Sequence, residues 1–280
     1  MASLHLDLIR QALAEDGAEA DITTLCTVPM EQQTQANIIT RQSGVIAGLT
    51  VAVATFRELD QRVSVEKVLE DGTVVQPGEV LAHISGPARS VLSAERVALN
   101  FLGHLSGIAT LTAQCVRALE GTNARILDTR KTTPGLRSLE KEAVRLGGGQ
   151  NHRFNLSDGV LIKDNHIKAA GGISQAITFA RHQAPHLLKI EVECETLMEV
   201  QEALKAEADV ILLDNMPVDT MRSAVEFIRS SSPKVLIEAS GSIGTNPVTL
   251  AAVAATGVDF ISLGCITQSA PQFDVSLEFD

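Results

Sequence analysis

From Asn123 onwards, short apolar runs recur, each closing on a polar residue and each followed by a stretch of helical periodicity. The runs are ARILDTRK, DGVLIKDNH, LLKIEVEC, ADVILLDNM, KVLIEASG and VDFISLGC, and they close on Asp128, Lys163, Glu193, Asp214, Glu238 and Ser262. Steps of 35, 30, 21, 24 and 24 residues suit a strand, a helix and two loops. Unbroken apolar strands alternating with helices predict a parallel sheet covered on both faces. Six such units without a long interruption favour a βα-barrel over an open sheet, and in such barrels functional groups sit at the C-terminal strand ends. Glu191 and Glu193 share one strand face, because side chains alternate with period two. Lys189 has the same parity and could pair with them. Glu193, nearer the strand end, is the better site candidate, while Glu191 is as readily a structural ion pair.

The N-terminal third has a different texture. MASLHLDLIRQALAED is amphipathic, with Leu4, Leu8 and Ile9 toward one face, and reads as a docking helix. Its apolar run is too short and interrupted for a signal peptide or membrane span. DITTLCTVP reads as a turn-rich entry. QANIITRQSGVIAGL alternates between glycines and predicts strands in a hairpin. VAVATFREL reads helical, and VSVEKVLEDGTVVQPGEVLAHISGPARSVL, with its DG and PG turns, predicts a small antiparallel sheet. The next segment, SAERVALNFLGHLSGIATLTAQCVRAL, is a long helix that Ser93 could cap. Gly103 and Gly107 in its middle point to a kink or to close packing. The expected fold is α/β: an N-terminal α+β sandwich domain (1–105), an incomplete TIM-like βα-barrel (106–266) and a C-terminal tail (267–280) packing back on the N-terminal domain.

Composition narrows the partners. The chain is 280 residues long with a net charge of −11, no Trp and no Tyr. That argues against a nucleic-acid backbone and against a base-stacking platform. Cys26, Cys115, Cys194 and Cys265 lack metal-ligand or redox spacing, so reduced thiols in a cytoplasmic protein are expected. Against the acidic background, the segment from Arg125 to Lys168 holds nine Lys and Arg but five Asp and Glu. A basic island in an acidic chain is a candidate anion site. Leu139 to Arg145 reads as a solvated helix face. Arg130, Lys131, His152, Arg153 and Lys163 flank apolar or glycine-rich runs instead and do not fit that reading. Arg137 could bind substrate or brace its loop. His104 and His166 read as structural, and His5, His83, His182 and His186 as surface residues.

Arg forks bind planar carboxylates or phosphates bidentately, and Lys supplies a mobile charge. Glu193 and Asp214 could hold Mg²⁺ through water or bond sugar hydroxyls. ASGSIG and SLGC offer backbone N–H groups for phosphate, where barrels commonly place such sites. These features imply a substrate with carboxylates, a sugar and phosphates, and take the reading no further.

The segment DTRKTTPGLRSLEKEAVRLGGGQNHRFNLSDGVLIKDNHI closely resembles the signature of the quinolinate phosphoribosyltransferase family. The likeness continues through ERVALNFLGHLSGIAT, IEVE, VILLDN, EASGSI and GVDFISLG. The resemblance implies transfer of phosphoribosyl from 5-phosphoribosyl 1-pyrophosphate to quinolinate with decarboxylation, a step of NAD biosynthesis. It implies binding of the quinolinate carboxylates by Arg130, His152, Arg153 and Lys163, with Arg96 donated by the neighbouring subunit of a homodimer. It further implies that Lys131 touches the phosphates and Thr132 binds substrate, that Glu193 and Asp214 serve the ribose and Mg²⁺, and that Lys131, Glu193 and Asp214 carry the catalysis. Phosphate loops are implied at Ser240, Gly241 and Ser242 and at Ser262, Leu263 and Gly264. Ser242 stands where the family often has glycine, and Glu142 where many members carry an aromatic residue. The alternatives are a nicotinate phosphoribosyltransferase, the related protein of molybdate operons, a barrel aldolase using Lys163 as a Schiff base, and a non-catalytic anion-binding protein.

Overall fold

The structure, a computed structural model, describes residues 2–279, with side chains from residue 6 onwards. Leu4 and His5 therefore lie outside the residues whose side chains are described. Of the docking-helix positions, Ile9 is buried and Leu8 is half-buried.

Twelve strands form among the described residues. Five precede the long helix: β1 (Gln33–Thr40), β2 (Gly44–Val45), β3 (Ser64–Lys67), β4 (Val74–Val75) and β5 (Val80–Pro87). Six follow it: β6 (Arg125–Leu127), β7 (Val160–Ile162), β8 (Ile190–Cys194), β9 (Val210–Asp214), β10 (Leu236–Ser240) and β11 (Phe260–Ser262). The last is β12 (Val275–Phe279). The chain divides into two compact units, one of residues 1–113, 134–148 and 269–280, the other of 114–133 and 149–268.

The first unit is built on an antiparallel sheet of order β12-β1-β5-β3, with β2 and β4 as a separate pair. The hairpin expected between residues 35 and 49 does not form: β1 pairs with β5 and β12, and β2 pairs with β4. Hairpin pairing needs two runs of useful length, and the second run here is only two residues long. DITTLCTVP is not all turn either, because Asp21 accepts from Thr24 N at 3.1 Å and starts a short helix, Ile22–Thr27. Ser93 caps nothing. The long helix begins at Ala88, and the Ser93 hydroxyl donates instead to Asp21 at 3.1 Å. The core holds Ile38, Leu49, Phe56, Leu81, Leu102 and Phe273. The helix Arg137–Leu146 is only partly solvated, since Glu140 and Lys141 are buried in it. A buried carboxylate needs a partner, and His104 Nε2 lies 2.8 Å from Glu140. The sequence pattern showed charges at helical spacing but not which face was covered.

The second unit is a parallel sheet of order β6-β11-β10-β9-β8-β7, in which four of the five neighbouring pairs are consecutive strands joined by a helical crossover. This is the order in which strands run around a TIM-type barrel. Strands β6 and β7, at its two edges, share no ladder, so the barrel is not closed. The covering helices carry the local signals that end strands and start helices. Thr196 and Glu199 form a reciprocal capping box, and Asn246 with Pro247 opens the helix Pro247–Ala254. One face of each packs inward, as with Val200 and Ala203 or Ala224 and Ile228.

Gly107 serves close packing in the long helix. A β-carbon there would stand 2.0 Å from the Pro271 carbonyl oxygen. Gly107→Ala is therefore expected to lower stability by about 1–3 kcal/mol, the usual cost of forced overpacking. Thermal denaturation would read this as a lower Tm, and an unchanged Tm would contradict the packing account.

Candidate active site

The C-terminal strand ends of the second unit surround a cavity of about 540 Å³, within the range of small-molecule sites. Lys131, His152, Lys163, Glu193 and Asp214 line it, together with Ser240, Gly241, Ser242, Ser262, Leu263 and Gly264. Arg130, Thr132 and Arg153 are not among its lining residues, and Arg96 is exposed on the helix Ala88–Arg117 of the first unit. Sequence reasoning missed Thr129, Asn215 and Gln268, which also line the cavity, as does Glu238, which it marked as a strand end without a site role.

Two loops form one side. In the first, Gly241 has φ +110°, a backbone state that a side chain disfavours. A β-carbon there would also meet Asn215 Oδ1 at 2.4 Å. Asn215, itself at φ 51°, accepts from Ser242 N at 2.9 Å, and its amide donates to Asp214 at 2.7 Å. One side chain thus ties an acidic strand end to the glycine loop. The signal was available in VILLDN, because Asn tolerates the left-handed region that such a turn requires. In the second loop, a β-carbon on Gly264 would press to 2.8 Å from Lys131 Cδ, so glycine makes room for the lysine stem. Thr267 Oγ1 donates to the Lys131 carbonyl at 2.7 Å and holds that backbone in place.

On the opposite side, Lys163 Nζ bonds Glu193 at 2.5 Å, with the lysine half exposed. Glu193 therefore pairs across to β7's end, while Lys189 lies exposed. A half-exposed lysine bound to a carboxylate is the opposite of the dry pocket that Schiff-base chemistry needs. His166 does structural work, its Nδ1 accepting from Lys163 N at 3.0 Å. Asp128 is fully buried and accepts from His152 N at 2.9 Å and Asn151 Nδ2 at 2.5 Å, so this strand-end acid braces the loop. Arg153 donates to the Gly159 carbonyl at 2.9 Å. Burial and then the nearby charge of Arg130 lower its pKa. Guanidinium groups crowded in this way favour any anion that arrives.

At the cavity wall, His152 Nε2 stands 3.2 Å from Glu191 and 3.6 Å from Glu238, both glutamates being buried. Burial pushes the Glu238 carboxyl up to about 8, and the charge of Glu191 adds to the rise. Burial works to lower the His152 pKa, but the Glu191 bond and the charges of Glu238 and Glu191 outweigh it, and the pKa is raised.

Both shifts have the same consequence for stability. Glu238 binds a proton in the fold at pH values where the unfolded chain has lost it, so stability falls as pH rises from the ordinary value of 4.5 toward about 8. The raised His152 stabilises below its unfolded pKa and loses that contribution as pH rises through the folded one. Glu238→Gln should flatten the decline by up to about 1.4 kcal/mol per pH unit in that window. Urea denaturation of both proteins at several pH values checks this, and parallel curves would contradict it.

Comparison with known proteins adds a family. Residues 21–106 match the description "Quinolinate phosphoribosyl transferase, N-terminal domain" and residues 108–278 its C-terminal domain. The chain is 45% identical over 270 residues to a probable nicotinate-nucleotide pyrophosphorylase [carboxylating] of Synechocystis sp., covering 96% of this chain and 90% of that one. It is 44% identical to the nicotinate-nucleotide pyrophosphorylase [carboxylating] of Mycobacterium leprae, covering 97% and 96%. A solved structure of the nicotinate-nucleotide pyrophosphorylase from Francisella tularensis matches with a TM-score of 0.93 at 38% identity, over 100% of this chain and 97% of that one.

Proposed function

The chain belongs to the quinolinate phosphoribosyltransferase family, and on that premise we propose that it joins quinolinate to the ribose of 5-phosphoribosyl 1-pyrophosphate and releases carbon dioxide. The products are nicotinate mononucleotide and pyrophosphate, a step of NAD biosynthesis. The observation that carries this reading is the convergence of Lys131, Lys163, Glu193, Asp214 and two glycine-containing loops on one cavity. Among the described residues no helix is long and apolar enough to cross a membrane.

The chemistry divides among the residues. Departure of pyrophosphate leaves positive charge on the ribose and negative charge on the leaving group. Lys131 stabilises the second, and the carboxylates of Glu193 and Asp214 stabilise the first. The loops at Ser240–Ser242 and Ser262–Gly264 orient the phosphates through backbone N–H groups. Arg130, His152, Arg153 and Lys163 answer the two carboxylates of quinolinate, with Arg96 supplied by a second subunit of a homodimer. Loss of carbon dioxide then needs no base: the electron pair of the broken bond stays on the ring carbon, stabilised by the adjacent pyridinium charge, and that carbon then takes up a proton from water.

The donor set fits Mg²⁺. Carboxylate oxygens at two strand ends beside a polar cavity match an ion that prefers water, one or two carboxylates and substrate phosphates. Glu193 and Asp214 would hold it through water, and when bound it supplies compensation for the pyrophosphate charge.

Incubation with quinolinate, 5-phosphoribosyl 1-pyrophosphate and Mg²⁺ should release one carbon dioxide per nucleotide formed. Turnover of nicotinate but not quinolinate would overturn the reading. Lys131→Ala should lower kcat by about 100- to 1,000-fold, the usual cost of losing one transition-state donor. Mixing Lys131→Ala with Arg96→Ala subunits should restore part of the activity through hybrid dimers. No recovery after confirmed subunit exchange would count against the shared site.

A further inference from the structure

Of the two lysines in the cavity wall, Lys163 is held by its charge, through Glu193. The Lys131 ammonium has no ion-pair partner among the described residues. A lysine stem is flexible, so whatever fixes this one acts on its carbons and its backbone. Three contacts do so. Thr129 Oγ1 accepts from Lys131 N at 3.0 Å. The stem lies over Gly264, where a β-carbon would stand 2.8 Å from Lys131 Cδ. Thr267 Oγ1 donates to the Lys131 carbonyl at 2.7 Å and stands 3.1 Å from the Gly264 carbonyl.

The sheet brings these groups together. β6 and β11 pair in parallel with Ser262 beside Leu127, so the segment that leaves β6 with Thr129 and Lys131 runs beside the loop that leaves β11. Leu263 N donates to the Leu127 carbonyl at 2.9 Å and fastens the base of that loop. Thr267 follows in the short helix Cys265–Gln268 and is only 1% exposed. Cys265 and Gln268 line the cavity, but Thr267 does not, so its hydroxyl serves the protein and not a ligand. That hydroxyl joins the backbone that carries the lysine to the glycine on which the stem rests. Without it the Lys131 carbonyl loses its donor, and nothing else described here ties that carbonyl to the loop.

We propose that Thr267 is a positioning residue for the departure of pyrophosphate: by tying the Lys131 backbone to Gly264, its hydroxyl aims the lysine at the leaving group. The inference rests on the functional reading above for what Lys131 does. Misplacing a reacting or stabilising group by about 1 Å can cost on the order of a hundredfold in rate, so a contact of this kind is visible in kinetics.

Steady-state kinetics test it first. Thr267→Val removes the hydroxyl at nearly the same shape, and Thr267→Ser keeps it. Thr267→Val should lower kcat about tenfold or more, with KM for both substrates within about twofold, as for a contact made in the transition state. Thr267→Ser should stay within about threefold of wild type. In a Lys131→Ala background, Thr267→Val should have no further effect, because the group it aims is gone. An unchanged kcat, an equal fall for Thr267→Ser, or the same factor again in the Lys131→Ala background would overturn the proposal. Should Thr267→Val not fold, Thr267→Ala carries the same expectations.

Inorganic pyrophosphate separates the inference from the identity of the acceptor substrate. In calorimetry with Mg²⁺ present, pyrophosphate should bind Thr267→Val about threefold or more weaker than wild type. It should not distinguish Lys131→Ala from the double variant. A wild type that ignores quinolinate but follows this pattern sinks the functional reading and keeps Thr267 as the residue that aims Lys131. Equal affinity for wild type and Thr267→Val, or no binding to wild type, overturns the inference.

Discussion

Parallel pairing in the second unit sets everything at its mouth. The ladders put Ser240 beside Asp214, Ser262 beside Leu127, and Leu212 beside both Glu193 and Glu238. Strand side chains alternate, so a slip of one residue would send the carboxylates of β8 and β10 to the helix-covered face. There they would lie against residues such as Val200 and Ala203. Unpaired carboxylates in such surroundings cost several kcal/mol each. The apolar runs hold the register, and the register carries the site.

Within that frame, the same residue type does different work according to burial. Glu193, partly exposed at a strand end, meets Lys163 beside the cavity. Glu191, two residues earlier on the same strand face, is buried and faces a histidine. Asp128 ends a strand as Asp214 does, yet it is fully buried and spends its oxygens on a backbone amide and an Asn side chain. Charge at a strand end is thus not by itself a sufficient mark of function in this fold. What separates a brace from a site residue is whether its partners are already inside the protein.

Small residues complete the arrangement. Gly241 and Gly264 are glycines because side chains belonging to Asn215 and Lys131 occupy the space a β-carbon would need. Gly107 yields to the Pro271 carbonyl in the same way within the first unit. In each case the constraint comes from residues distant in the chain, so local propensity could mark the glycine without naming its reason.

The six strand runs, their closing residues and the helices between them could be read from the sequence, since strand period, turn chemistry and capping are local. The basic island and the glycine loops were legible for the same reason, and with them Lys131, Lys163, Glu193 and Asp214. Other features were decided only in three dimensions. β1 found β5 and β12 rather than its neighbour in sequence, and Glu140 and Lys141 turned inward. Asn215 came to hold the glycine loop, and Glu191, Glu238 and His152 formed one buried cluster. Each of these depends on which distant surfaces meet, and a pattern along one chain records which face of an element is apolar but not what covers it.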